Sequence, residues 1–157
     1  MDNTDYLSQD KFDQLQDELN HLKMVERKQI AEQLEYAKSL GDLSENAEYH
    51  EARDKQADLE DRIKELENIL KSSIIIDQTK TKTKGDVVGV GSEVIVRKTG
   101  GDDKQYTIVG SEEADMATGK ISYLSPLGSS LLNRKKGESV TVSTPRGDMK
   151  YVIVDTK

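Results

Sequence analysis

The chain has 157 residues, enough for one domain or two small ones, and it is 34% hydrophobic, 34% charged and only 4% aromatic. It should bury less core per residue than an average globular domain, and it has no Cys, which excludes disulfide scaffolds, thiol nucleophiles and Cys-based metal sites. The net charge of −7 is unevenly spread: residues 1–71 carry 19 Asp and Glu against 10 Lys and Arg, whereas residues 72–157 carry 11 against 13. So acidic a chain is a poor duplex-DNA binder, and any action on nucleic acid should pass through a partner.

His21 and His50 are too few and too far apart for a His-rich metal site. No apolar run approaches the roughly 18 residues of a membrane span. The start Met1-Asp2-Asn3-Thr4-Asp5 has neither a basic region nor an apolar stretch. A cytoplasmic protein without membrane contact is expected.

The first half reads as two long helices. Ser8 is placed to cap the first, with Asp10 in its first turn, where the helix dipole favours negative charge. Phe12, Leu15, Leu19 and Leu22 recur at spacings of three, four and three, and the stripe resumes at Ile30, Leu34 and Ala37. Between them, around Glu26-Arg27-Lys28, the phase slips. A slip of this kind alters the winding locally without ending the helix.

Gly41 breaks the first helix. A second stripe of Tyr49, Ala52, Gln56, Leu59, Ile63, Leu66 and Leu70 alternates spacings of three and four, a heptad seam with one polar position at Gln56. Two amphipathic helices joined by a short break fold back as an antiparallel hairpin. At about 1.5 Å per residue, the first helix is roughly 45 Å long. Each stripe then has its partner within the chain, and a monomer is expected. The apex of the hairpin is Gly41-Asp42-Leu43-Ser44-Glu45-Asn46.

From residue 72 the pattern changes. Ile74-Ile75-Ile76 is a short β-branched run, and Thr79 to Gly85 reads as a linker or edge strand. Strand-like runs follow at Glu93–Arg97, Tyr106–Val109, Lys120–Leu124, Ser139–Ser143 and Tyr151–Val154. Gly100-Gly101-Asp102-Asp103 and Pro145-Arg146-Gly147-Asp148 mark turns, and Pro126 opens a short helix through about Leu132. The fold class expected is α+β: a helical hairpin over 1–76, then a small, mostly antiparallel sheet with short helices over 77–157.

Asp42 and Glu45 are the acidic pair at the apex. Two hard carboxylates three residues apart suit Mg²⁺, which takes one or two protein carboxylates and completes its shell with water or phosphate. The same spacing also matches a capping box, in which Asp42 caps the second helix and Glu45 reaches back. Spacing alone leaves both readings open. Two carboxylates would in either case hold Mg²⁺ weakly, so a metal site here needs ligands from elsewhere.

The run Gly41-Asp42-Leu43-Ser44-Glu45-Asn46-Ala47-Glu48-Tyr49-His50 closely resembles the signature of the bacterial Gre transcript cleavage factors. A second motif agrees: Ser122-x-x-Ser125-Pro126-Leu127-Gly128-x-Ser130-Leu131-Leu132, then four residues, then Gly137-Glu138. The resemblance runs in order from about Ser8 to Val154.

It implies a coiled-coil hairpin followed by an FKBP-like domain that docks on RNA polymerase. The hairpin enters the polymerase secondary channel and brings its tip to the active centre. There Asp42 and Glu45 help hold a Mg²⁺ shared with the polymerase, which then cleaves the 3′ end of a backtracked RNA. Two-metal chemistry makes such help effective, because a poorly held second ion limits the reaction. The protein is then an accessory factor and not itself an enzyme. Gly41, Leu43, Ser44, Asn46 and Tyr49 shape the tip. Lys38 and Arg53 match basic positions near RNA or the channel wall, although a solvated helix face explains them equally. Ser122, Ser125, Pro126, Leu127, Gly128 and Ser130 match the polymerase-docking segment, although an ordinary helix start also accounts for them. Two departures are visible: Lys28-Gln29 stands where many members carry proline, and the basic residues Lys38, Arg53, Lys55 and Arg62 are thinly spread among acids.

Three rival readings follow from the same residues. A Gre-like factor could occupy the channel and inhibit synthesis, but the Asp42-x-x-Glu45 pair argues against it. A peptidyl-prolyl isomerase needs an apolar pocket walled by aromatics, and the chain has no Trp and a single Phe, Phe12, on the first helix. A structural coiled-coil dimer is unnecessary where each stripe is already partnered.

Overall fold

The computed structural model describes residues 5–76 and 87–157, and Thr79–Gly85 lies outside them. In chain order the elements are β1 (Tyr6–Ser8), α1 (Gln9–His21), a π-helical turn (Leu22–Glu26), α2 (Arg27–Ser39), α3 (Ala47–Ser72) and β2 (Ile74–Ile76). Then come β3 (Glu93–Lys98), β4 (Asp103–Val109), two 3₁₀ turns (Ser111–Glu113 and Met116–Thr118), β5 (Lys120–Ser122), α4 (Pro126–Leu131), β6 (Ser139–Thr144) and β7 (Gly147–Thr156). These form two compact units: Phe12–Ser72, and the residues through Lys11 together with Ser73–Lys157.

The first unit is the helical hairpin. Leu15, Leu19, Leu22, Leu34 and Ala37 are buried against Ala52, Leu59, Ile63 and Leu66, and Tyr49, Gln56 and Leu70 are half-buried. Ser8 Oγ accepts the Lys11 N–H at 3.2 Å and caps α1 as its position suggested. The phase slip also has a structural form. Leu22 to Ile30 is eight residues, one more than a heptad, and the π-helical turn at Leu22–Glu26 takes up the extra residue. The helix continues in register on either side of it. Across the hairpin, Arg62 grips Glu18 at 2.9 and 3.2 Å, Arg27 grips Glu60 at 2.7 Å through both nitrogens, and Lys23 meets Glu67.

The second unit carries a five-stranded sheet in the order β5-β4-β3-β7-β6. Its core is Val88, Val94, Val96, Ile108, Ile121, Leu131, Val140, Val142 and Ile153, with Tyr106, Tyr123, Leu127, Leu132 and Tyr151 packed around it. The strands fall where the β-branched runs predicted, but β4 and β5 pair in parallel. The two 3₁₀ turns carry the chain back between them, so the sheet is not wholly antiparallel.

The boundary expected at 76/77 also shifts. β1 and β2 pair in parallel, Tyr6 with Ile74 and Ser8 with Ile76, and both belong to the sheet-bearing unit rather than to the hairpin. Leu7 is fully buried there. Tyr6 meets Tyr123 edge-on at 5.0 Å, and the Ser8 N–H and Oγ donate to the Glu113 carboxylate at 2.8 and 2.6 Å. The hairpin is thus an excursion from the globular unit, which uses both flanks of the chain.

Candidate functional site

The hairpin tip is built by three local devices. Gly41 takes φ +120, a conformation L side chains rarely adopt, and turns the chain out of α2. Asn46 then closes the turn with both ends of its amide. Its Oδ1 accepts the Tyr49 N–H at 3.0 Å and caps α3, while its Nδ2 donates to the Ala37 carbonyl at 2.6 Å, in the last turn of α2. The third device is the Asp42 side chain, whose Oδ1 accepts the Ser44 N–H at 3.0 Å and the Ser44 hydroxyl at 2.9 Å.

This geometry removes the capping-box reading of the acidic pair. The cap of α3 is Asn46, not Asp42, and Glu45 does not reach back as a capping-box partner. The Glu45 carboxylate is exposed and makes no hydrogen bond or ion pair among the described residues. Asp42 is held by the Ser44 N–H and then by the Ser44 hydroxyl, and these donors favour the charged form and keep its carboxyl below the usual carboxylate range. Asn46-x-x-Tyr49 carried the correct capping signal, because Asn is as good a cap as Asp.

The donor set has been freed rather than consumed by the fold. One Asp42 oxygen is committed to Ser44, and the other is not, as is the whole of Glu45. Among the described residues no group of three or more His, Cys, Asp or Glu could hold a metal ion. Two exposed carboxylates are hard oxygen donors of the kind Mg²⁺ takes, but they would fill only part of its shell.

Other expected positions divide. Leu43 is exposed on the tip, and Tyr49 is half-buried with its ring 5.8 Å from that of His50. His50 Nε2 lies 3.4 Å from the Ser44 carbonyl, a contact not foreseen from the sequence. Lys38 is exposed in the last turn of α2 and carries no ion pair among the described residues. Arg53 Nη1 donates to Gln56 at 3.4 Å. Lys55 is paired with Glu51 at 2.7 Å and Arg62 with Glu18 and Glu65, so the thin basic face is partly neutralised internally.

The second motif has a clear local logic. Ser125 Oγ accepts the Gly128 N–H at 3.0 Å and donates to the Ser122 carbonyl at 2.6 Å, which makes it the cap of α4. Pro126 holds the first helical position. Ser122 Oγ accepts the Leu124 N–H at 3.1 Å, and Ser130 Oγ donates to the Pro126 carbonyl at 2.7 Å. Gly128 is buried: a Cβ there would lie 2.1 Å from the Ser122 carbonyl oxygen. The hydroxyls are thus used to shape the segment, Leu127 packs on the core, and Pro126 and Leu124 remain at the surface.

Known proteins match across the chain. The family model described as "Transcription elongation factor, N-terminal" matches residues 5–75, and "Transcription elongation factor, GreA/GreB, C-term" matches residues 82–157. A relative named Transcription elongation factor GreA, from Clostridioides difficile (strain 630), is 47% identical over 152 residues, covering 96% of this chain and 94% of the relative. Another of that name, from Geobacillus kaustophilus (strain HTA426), is 46% identical over 146 residues, covering 92% and 91%. Among solved structures, that of GreA factor homolog 1 (Gfh1) from Thermus thermophilus matches 97% of each chain at 26% identity, with a TM-score of 0.42.

Proposed function

The chain belongs to the GreA/GreB family of transcription elongation factors, and from that membership we propose that it stimulates RNA polymerase to cleave the 3′ end of backtracked transcripts. The hairpin enters the polymerase secondary channel, and the sheet-bearing unit docks on the polymerase through the surface around Ser122–Ser130. The observation that carries this reading is the apex itself. Asp42 and Glu45 stand exposed at the turn between the helices, and Asn46, not either carboxylate, does the capping.

Asp42 and Glu45 would hold a Mg²⁺ jointly with ligands of the polymerase active centre. Bound there, the ion supplies charge stabilisation for the attacking and leaving oxygens of the RNA. This chain orients the Asp42 carboxylate through Ser44 and leaves the Glu45 carboxylate exposed, with no partner among the described residues. It contributes too few ligands to cut RNA alone, so the cleaving enzyme is the polymerase. The retained Asp42-x-x-Glu45 pair supports stimulation over inhibition by channel occupancy.

Halted, backtracked elongation complexes incubated with the protein and Mg²⁺ test the reading, with released 3′ fragments resolved on a gel. Wild type should accelerate release. Asp42→Asn and Glu45→Gln should lose that acceleration while still competing with wild type for polymerase. If both variants cleave like wild type, the metal-holding role is wrong; if RNA is cut without polymerase, the accessory role is wrong.

A further inference from the structure

The core face of the five-stranded sheet is not fully covered. α4 packs toward β5 and β6, and beyond its reach Val96, Lys98, Gly101, Asp102, Lys104, Tyr106 and Tyr151 line a cleft of about 230 Å³. Strand pairing puts these side chains on one face. Tyr106 stands opposite Val94, Lys104 opposite Val96 and Tyr151 opposite Lys98, and directly paired residues of antiparallel strands point the same way.

The chemistry of the cleft is selective. Two half-buried tyrosine rings wall it, and the fully buried Val96 lies at its base. Lys98 and Lys104 are exposed, and neither ammonium group is in a hydrogen bond or ion pair among the described residues. Two other basic residues of this unit are committed elsewhere, Arg97 to Asp103 at 2.5 and 3.0 Å and Lys136 to Asp155 at 3.3 Å. Against the two free ammonium groups stands one carboxylate, Asp102. The cleft thus favours a ligand with a flat apolar part and a negative charge beside it.

A peptide would be poorly served here. The two strands that floor the cleft, β3 and β7, are each paired on both edges, so a ligand lying over them meets side chains rather than open backbone groups. A ligand must be held by side chains alone. The volume falls below the roughly 300–1,000 Å³ of a drug-sized site, which suits one base rather than a larger ligand. Base-on-tyrosine stacking with lysines on the phosphate is how sequence-tolerant single-strand sites are built.

We propose that this cleft is a nucleotide subsite, with the base against Tyr106 and Tyr151 and the phosphate on Lys98 and Lys104. The ligand is a free nucleotide or one unit of single-stranded RNA, and it uses residues remote in sequence from the hairpin tip. The proposal is therefore independent of cleavage stimulation.

Backbone amide and tyrosine ring NMR signals of the full chain would be followed during titration with AMP, with a short oligoadenylate, with adenosine and with inorganic phosphate. AMP and the oligomer should saturate signals of the cleft. Adenosine and phosphate alone should require at least tenfold higher concentrations, because each offers half of the recognition. Tighter binding of the oligomer would identify RNA as the ligand, and equal binding would identify the free nucleotide. Lys98→Glu with Lys104→Glu should abolish the response, and Tyr151→Leu should remove the advantage of AMP over phosphate. Lys104→Ala, a surface change that leaves the fold intact, should weaken AMP several-fold. Shifts that appear only on hairpin lysines, phosphate acting as well as AMP, or an acidic Phe-containing peptide saturating the cleft where AMP does not, would each overturn the proposal.

Discussion

Replacing Asn46 by Ala removes both bonds that close the hairpin tip. Loss of the cap to the Tyr49 N–H costs about 1 kcal/mol in comparable helices. The second bond, to the Ala37 carbonyl at 2.6 Å, contributes about another 1 kcal/mol net. That carbonyl is not orphaned by the change, because it also accepts the Leu40 N–H at 3.2 Å, and water reaches the tip. No buried-group penalty is added, and the sum stays near 2 kcal/mol, a factor of about 30 in the local opening equilibrium.

The assay is amide hydrogen exchange at Tyr49 and its neighbours in the first turn of α3. Asn46→Ala should speed exchange there by roughly that factor, while Leu59, Ile63 and Leu66 deeper in the hairpin stay protected. Asn46→Asp separates the two bonds. It keeps an acceptor for Tyr49 and adds charge where the helix dipole favours it, but it faces the Ala37 carbonyl with no donor. Its exchange should fall between wild type and Asn46→Ala. If Asn46→Ala leaves Tyr49 exchange within twofold of wild type, or Asn46→Asp is as damaging as Asn46→Ala, Asn46 is not the residue that closes the tip.

Three further outcomes are expected. Ser44→Ala removes the hydroxyl that donates to Asp42, so the Asp42 pKa should rise toward the ordinary carboxylate value in a ¹³C titration; because the native value is depressed, the associated stabilisation is present above the unfolded value of about 3.9 and is lost as pH falls through the native one. An unchanged Asp42 titration would show that the Ser44 contact is not formed in solution. Gly128→Ala places a methyl 2.1 Å from the Ser122 carbonyl oxygen and 2.9 Å from Ser125 Oγ, so α4 must shift, and the urea midpoint should fall by an amount matching at least about 2 kcal/mol. A fragment of residues 72–157 should be less stable than one in which residues 5–11 are joined to it, because only the latter restores β1 and the buried Leu7; equal thermal midpoints would show that β1 is dispensable.

The helices were legible because their signal is local and repeated. The stripes from Phe12 to Ala37 and from Tyr49 to Leu70 report burial directly, and even the surplus residue between Leu22 and Ile30 could be counted. The turn was harder. Asp42-x-x-Glu45 and Asn46-x-x-Tyr49 are equally good capping spacings, and only the end of α2 at Ser39 and the start of α3 at Ala47 choose between them. The β1–β2 pair was not legible at all. Each strand is three residues long, and its partner lies more than sixty residues away, so no periodicity marks it. The parallel β4–β5 pairing was hidden for a related reason: its direction is set by two 3₁₀ turns with no strong sequence signature. The cleft of Tyr106 and Tyr151 is not legible in the sequence, because these tyrosines share a face only once the strand register is known.

The tip combines fixed and free parts in a way that its chemistry requires. Preorganised ligands stabilise a developing charge without reorganising at the moment of reaction. Gly41, Asn46 and Ser44 supply that order around Asp42: Gly41 through its backbone angle, Asn46 through two bonds that close the turn, and Ser44 through two bonds to the carboxylate itself. In the proposed shared site, rigidity of both carboxylates would carry a cost, because Mg²⁺ demands near-octahedral geometry and the remaining ligands would come from another molecule. A donor fixed a few tenths of an ångström out of place would then oppose the shell rather than complete it. Glu45, with a longer side chain and no partner among the described residues, absorbs such a mismatch. Shortening it to Asp would keep the charge but remove a methylene of reach. That change should therefore harm a shared site more than a merely electrostatic one, which fixes which of the two roles Glu45 plays.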